Sequence, residues 1–336
     1  MESGRWRSAR VSRVALCSGM AFGLLLAGLT PWTPAAMAGS AAPSLQPQPA
    51  SALPRTDRSP LRFVMIPKVG HPWFEQVRQG ALSGATMLSS QTGRRVSIEE
   101  MAPQQATIAL QQQMLAKAIA TKPAGIFIDL LDPAALNPLL TQARASGIGL
   151  VVFDSASPEA LAITAVGNDD CRQASIGSER LVALLGGRGE VAIMQGVPTA
   201  PNHATRFRCH QEVFRRYPGI TVVATPSDQD DIAKAEREAL ATMRAHPNLR
   251  GWVATDASGP IGIGRAIASL GAQGRVKAVG IDDLPELVEQ VRAGVVDSSV
   301  ATRPRAQGHW AVLALWQQSL GAPTIERIDT GITQVK

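Results

Sequence analysis

The side chains best suited to chemistry stand in one kind of place along the chain, directly after short apolar runs. Lys68, His71, Trp73 and Phe74 follow the first such run, Asp129 and Asp132 the third, and Asp154 with Ser155 the fourth. Later runs are followed by Asp169 and Asp170, by Gln195, by Asp228, Asp230 and Asp231, and by Asp256. The last are followed by Asp282 with Asp283 and by Thr302 with Arg303. Carboxylates accept hydrogen bonds from neighbouring hydroxyls, and Lys or Arg donates in return. An aromatic face covers the apolar C–H side of a sugar ring. A ring of carboxylates with one aromatic pair therefore suits an uncharged polyol. The competing role for any single Asp is to cap the helix that follows it.

Enzyme signals are weak by comparison. The sequence holds no GxSxG, HExxH or P-loop pattern. Gly262-Ile263-Gly264 lacks the third glycine of a dinucleotide loop and falls inside a helical pattern. His71, His203, His210, His246 and His309 lack metal-ligand spacing, and adjacent Cys209-His210 is not a chelate pattern. Paired Asp residues could serve a glycosidase, but their separation cannot be read from sequence. The expectation is a binding protein with no catalytic residue, metal or cofactor.

The elements that must position these residues alternate. Strands are expected over 62–67, 96–101, 124–129, 149–153 and 161–166, with helices over 73–90, 107–121 and 133–146 between them. The rhythm then restarts with a helix over 171–185. Strands follow over 190–194, 221–224, 251–255, 277–281 and 296–301. They alternate with helices over 205–217, 231–245, 259–270, 284–293 and 307–320. Short apolar runs separated by amphipathic helices indicate an α/β fold with parallel sheets covered on both faces. Ligands of such sheets bind beyond the carboxyl ends of the strands, where the candidate residues cluster.

The chain has 336 residues, which suggests two domains. Its net charge of +6 is dispersed, which argues against a nucleic-acid partner. Arg5, Arg7, Arg10 and Arg13 precede an apolar stretch over 14–29, and Ala36-Met37-Ala38 supplies small residues for cleavage. Residues 1–38 therefore read as a cleaved secretory signal, placing the mature chain in the periplasm. Residues 39–60, rich in Ala, Ser, Pro and Gln, read as a disordered linker. Beyond the signal only Cys171 and Cys209 remain, either paired in an oxidising compartment or present as two buried thiols.

The segment from Ile66-Pro67-Lys68 through His71-Pro72-Trp73-Phe74 to Gly80-Ala81 resembles the opening of the type I periplasmic sugar-binding proteins, where the ribose-binding type has Asn-Pro-Phe-Phe. The resemblance runs on through Val151-Val152-Phe153-Asp154-Ser155, Val166-Gly167-Asn168-Asp169-Asp170, Arg215-Arg216-Tyr217-Pro218-Gly219, Ala254-Thr255-Asp256 and Val279-Gly280-Ile281-Asp282. It implies two Rossmann-like lobes joined by a three-crossing hinge, residues 61–167 with 303–328 and residues 168–302 with 329–336, and a ligand between them. By the same resemblance Trp73 and Phe74 would stack on the ligand and Asp154 would accept its hydroxyls. Arg206 stands where the family has a ligand-binding Arg, Asp256 replaces an Asn, Asp282 matches an Asp and Thr302 replaces a Gln. Lys68 and Asp154-Ser155 look more like the autoinducer-2 and rhamnose binders. With His71 and Asp170 these residues make up the candidate site. Departures are Ser155 in place of an Arg, no aromatic over 227–231, and Cys209-His210 in place of Gly-Phe. The implied protein is a monomeric solute receptor, meeting the membrane only through an ABC permease or, alternatively, a sensor kinase or chemoreceptor.

Overall fold

A computed structural model describes residues 59–323 and 325–336. The expected signal segment, and all of the expected linker but its last two residues, lie outside the described residues. Among the described residues no helix is long and apolar enough to cross a membrane.

The first half alternates β1 (Leu61–Ile66), α1 (Pro72–Thr92), β2 (Val96–Glu100), α2 (Ile108–Ala120), β3 (Gly125–Ile128), α3 (Pro133–Ala145), β4 (Gly149–Phe153) and β5 (Thr164–Gly167). The second repeats the pattern with α4 (Asp170–Leu185), β6 (Arg188–Met194), α5 (Pro201–Arg215), β7 (Gly219–Ala224), α6 (Ile232–Ala245), β8 (Leu249–Ala254), α7 (Ser258–Ser269), β9 (Lys277–Ile281), α8 (Pro285–Arg292) and β10 (Ser298–Ala301). Helix α9 (Pro304–Ser319) and the short β11 (Arg327–Asp329) and β12 (Thr333–Val335) close the chain. One sheet has the order β2-β1-β3-β4-β5-β11, the other β7-β6-β8-β9-β10-β12. All neighbours pair in parallel except β10 with β12. The expected α/β class, with two parallel sheets, holds. The chain passes from one sheet to the other after β5, after β10 and between β11 and β12, because α9 packs on α1, β3 and β4 of the first lobe.

Strand alternation sends two sets of side chains to opposite faces of the first sheet. Val64, Ile66, Ile126, Ile128 and Val152 meet Leu115, Ile119, Leu136 and Leu140 of α2 and α3. Phe63, Met65, Phe127 and Phe153 meet Val77, Ala81, Ala311 and Leu315 of α1 and α9. Helices α1 and α9 touch through glycine: a Cβ on Gly80 would run into the Arg305 carbonyl, and one on Gly308 into that of Val77.

Two features differ from the sequence reading. Helix α5 starts at Pro201, not at residue 205. Its cap residue, Ala200, makes no side-chain cap bond, so the usual start signal is missing and only the proline at the first turn marks it. Strands β11 and β12, each of three residues, carry no apolar period to read.

Cys171 and Cys209 form a disulfide between α4 and α5 across 38 residues of chain. Closing a loop of that size restricts the unfolded chain, so replacing both cysteines with Ala should lower the unfolding free energy by about 2–4 kcal/mol. Urea unfolding with and without reductant checks this. An unchanged midpoint in reductant would show the bond to be energetically idle.

Candidate functional site

The carboxyl ends of both sheets face one seam between the lobes. From the first lobe the β1–α1 loop brings Lys68, β3 ends on Asp129, β4 on Asp154, and the first turn of α9 brings Gln307. From the second come Asp170 at the start of α4, Asn202, His203 and Arg206 on one face of α5, Asp256 after β8 and Asp282 after β9. Asp154 and Asp282 occupy equivalent places. Each has positive φ, 55° and 69°, and each donates its amide to the next strand, at Val166 O and Val300 O. Asp tolerates that left-handed turn better than bulkier residues, and the turn aims both carboxylates out of their sheets.

A continuous polar network fills the seam. Lys68 Nζ pairs with Asp129 Oδ2 at 2.8 Å and donates to Asn202 Oδ1 at 3.3 Å. Asn202 Nδ2 donates to Asp154 Oδ2 at 2.5 Å, so α5 of the second lobe holds two groups of the first. Arg206 pairs with Asp170 at 2.8 Å and Asp154 at 3.5 Å, and donates to Thr255 O at 3.1 Å. Gln307 Nε2 donates to Asp154 Oδ1 and Asn168 Oδ1. Trp73 Nε1 donates to Thr302 Oγ1 at 3.1 Å, and that hydroxyl donates to Asp282 Oδ1 at 2.5 Å. His71 Nε2 lies 3.1 Å from Ser258 Oγ, which sits beside Asp256. The eleven candidate residues thus lie on or against the seam, and nine of them touch another candidate, while Ser155 reaches Asp129 and Asp256 reaches Ser258.

Two of them do not stand as the resemblance implied. Trp73 and Phe74 are not an open stacking platform. Both are buried, and their rings meet edge-on 5.1 Å apart. Phe74 also packs edge-on to Phe153, and its face carries Lys68 Nζ at 5.9 Å. Phe74 is a wall that seats the lysine, and Trp73 backs Phe74. Ser155 also sits behind the site: its hydroxyl donates to Asp129 Oδ1 and accepts from Leu130 N, orienting the lysine's partner.

The seam still has unused hydrogen-bonding capacity. Arg206 Nε, Gln307 Oε1, Asp228 Oδ2, Asp230 Oδ2 and Asp256 Oδ1 are buried without a hydrogen-bond partner. A cavity of about 570 Å³ opens on one side, between 69–72, 104–107 and 228–234. A smaller one of about 330 Å³ opens on the hinge side, lined by Asp154, Asp170 and Arg327 among others. Pockets of this size hold small molecules, and unpaired donors and acceptors beside them are what a polar ligand would satisfy.

The profile of the periplasmic binding protein domain matches residues 63–323. The chain belongs to the periplasmic binding protein family. This binding protein is 30% identical over 141 residues to the D-allose-binding periplasmic protein of Escherichia coli, a match covering 41% of this chain and 45% of that one. It is 29% identical over 171 residues to the D-ribose/D-allose-binding protein of Pseudomonas aeruginosa, covering 49% and 53%. The matched region thus spans about half the length of these curated relatives. Among solved structures it is similar to an ABC transporter solute-binding protein of Burkholderia graminis in complex with D-arabinose. That match has 29% identity and a TM-score of 0.76, and covers 83% of this chain and 96% of that one. A sugar-binding protein of a Bacillus halodurans sugar ABC transporter is 27% identical, with a TM-score of 0.69, over 83% and 97% of the two chains.

Asn202, His203 and Gln307 are site residues that the sequence reading did not single out. The first two were hidden by the late start given to α5, and Gln307 sits in a helix whose polar face carries no strand-end signal. Asp129, Asp228 and Asp230 were visible at strand ends but had no counterpart in the resemblance.

Burial sets the titration of the binding protein. It pushes Asp129 up to about 7 against the opposing charge of Lys68, and Asp170 and Asp282 up to about 6 against Arg206. Burial also raises Asp228 and Asp256 well above the usual range, and neighbouring carboxyls add to it. It lowers His71 and His203, and lowers His210 to about 4. A raised carboxyl stabilises the fold at low pH and loses that contribution as pH rises through its folded value. A lowered histidine contributes fully above its unfolded value of 6.5 and loses that contribution as pH falls. The two sets oppose each other between about pH 4 and 6.5. Above that window the lowered histidines are neutral in both states, whereas Asp129 still titrates near 7. Tm should therefore fall between about pH 6.5 and 8.5, as scanning calorimetry can test. A rise over that range would contradict this account of the buried carboxyls.

Proposed function

We propose that the chain is a periplasmic solute receptor that closes its two lobes over a sugar or polyol and hands it to an ABC permease. The observation that carries this reading is the set of buried, unpaired polar atoms on both lobes of one seam. Arg206 Nε and Asp256 Oδ1 belong to the second lobe and Gln307 Oε1 to the first, so a ligand with several hydroxyls would complete both sets together. Only the closed form offers both, so the ligand stabilises that form. The network of Lys68, Asn202 and Asp154 already joins the lobes, so closure needs no new scaffold. The similarity to allose-, ribose- and arabinose-binding proteins supports a monosaccharide as the ligand. Periplasmic residence follows from the family and fits the disulfide.

The test is a thermal-shift and calorimetric screen of D-allose, D-ribose, D-arabinose and related pentoses, hexoses and polyols. A ligand present at 100 times its Kd should add about 2.7 kcal/mol of stability. Absence of any shift at millimolar sugar, or turnover of the sugar by pure protein, would overturn the reading.

A further inference from the structure

The net charge of +6, dispersed along the sequence, is not dispersed in space. The five turns that lead into β6, β7, β8, β9 and β10 lie at the outer end of the second lobe, since these parallel strands run from there towards the seam. Residues 186–190, 215–220, 244–250, 270–277 and 292–297 hold eight Arg or Lys against two acidic residues, Glu190 and Asp297. Arg215, Arg216, Arg244 and Arg292 stand at the ends of α5, α6 and α8, where a cation complements the helix dipole. Arg188, Arg250 and Arg275 stand at or just before strand starts, where no helix end calls for them. All seven are exposed, and the eighth, Lys277, is half-buried. Contacts join the turns into one surface. Arg188 pairs with Gly219 in the sheet, and a Cβ on Gly189 would lie 3.3 Å from the stem of Arg250. Arg250 Nε donates to Arg275 O at 3.3 Å, Arg275 donates to Pro247 O at 3.4 Å, and Gln273 donates to Ala293 O at 3.0 Å. Among the described residues, the ion pairs at or near this end are Arg216 with Glu179 and Arg180 with Asp297. Arg188, Arg250 and Arg275, with Arg215, Arg244 and Arg292, have no carboxylate partner there.

Like charges gathered without counter-charges repel one another and project a field beyond the surface, so their complement is an anion outside the chain. These charges cover the end of a lobe rather than line a cleft, and the two cavities described above open on the seam instead. A broad plane of negative charge fits that layout better than one small anion held in a pocket. We propose that the outer end of the second lobe docks on a membrane surface rich in anionic headgroups. The choice of lipid over nucleic acid rests on the periplasmic residence proposed above, since the chain there lies between two membranes. The docking end is opposite the seam, at the amino ends of the same strands, so the cleft stays open to its solute while the receptor is held beside the membrane. This changes the expectation that the receptor meets the membrane only through its permease.

Co-sedimentation of the chain, as the cell exports it, with lipid vesicles tests the proposal. Vesicles of phosphatidylcholine are compared with an equal mixture of phosphatidylglycerol and phosphatidylcholine. Binding to the mixed vesicles should exceed binding to the neutral ones and should be lost in about 1 M salt, where the Debye length is about 3 Å. Each Arg or Lys at an anionic surface raises partitioning about fivefold, so Arg188→Gln combined with Arg250→Gln and Arg275→Gln should lower it roughly a hundredfold. Removing as many exposed charges from the first lobe, by Arg95→Gln with Lys117→Gln and Lys122→Gln, should leave binding close to that of the unaltered chain. Circular dichroism and the urea midpoint verify that both triple variants fold. Equal binding to the two kinds of vesicle, an equal loss in the two triple variants, or tighter binding to duplex DNA than to the mixed vesicles would overturn the membrane proposal. Each of these would leave the receptor reading standing, because the sugar screen that tests it uses no lipid.

Discussion

Replacing Lys68 with Met should lower the unfolding free energy by about 3–5 kcal/mol, the range for removing one partner from a buried ion pair. Lys68 and Asp129 have side chains 2% and 0% exposed and are paired at 2.8 Å. Burial opposes the ammonium, but Asp129, Asp230 and Asp154 together hold its pKa above the ordinary value. Methionine supplies an unbranched apolar side chain to fill the space beside Phe74. What it cannot keep is the counter-charge, so Asp129 is left with only the Ser155 hydroxyl. The cost should depend on pH, with a sign that can be worked out. Asp129 titrates near 7 even with its lysine. Without it the carboxyl holds its proton to higher pH, and a group with a raised folded pKa contributes stability that is lost as pH rises. The variant's deficit should therefore be smaller at pH 5 than at pH 8. Urea unfolding at both values measures it, and adding Asp129→Asn should recover a large part at pH 8. An equal deficit at both pH values, with no recovery, would mean that lost packing rather than stranded charge is responsible.

The alternation of short apolar runs with amphipathic helices made the two sheets legible, because buried parallel strands and their covering helices differ in period and length. The strand-end position of Asp154, Asp256 and Asp282 was legible for the same reason. What was not legible depends on contacts distant in sequence. Trp73 and Phe74 have the types of a stacking pair, but Thr302, Phe153 and Lys68 occupy their edges and face. Ser155 follows a site carboxylate in sequence, yet its hydroxyl turns to Asp129 because β3 and β4 are neighbours. Asn202 and His203 were missed for a local reason, since an alanine cap leaves only Pro201 to mark the start of α5.

Arg206→Ala should be at least as damaging, lowering stability by about 3–5 kcal/mol and abolishing measurable binding of whichever solute the screens identify. Its side chain is 2% exposed and joins three structural units: Asp170 at the start of α4, Asp154 at the end of β4, and the Thr255 carbonyl after β8. The first and third belong to its own lobe and the second to the other, so the guanidinium both stiffens one lobe and attracts its partner. Asp170 and Asp154 together raise its already high pKa, so it stays charged at any accessible pH. Removing it strands two carboxyls, one of which, Asp170, titrates near 6 even when paired and would take up a proton near neutrality. Proton uptake limits the loss of stability but not the loss of binding, because the fork that spans the lobes is gone and Nε, the unpaired donor, goes with it. Arg206→Lys separates the two effects. Lysine restores a charge but not the planar fork, so stability should return in part while affinity stays low. If Arg206→Ala unfolds with the wild-type midpoint, or Arg206→Lys binds as tightly as wild type, the guanidinium does not have the bridging role that the geometry gives it.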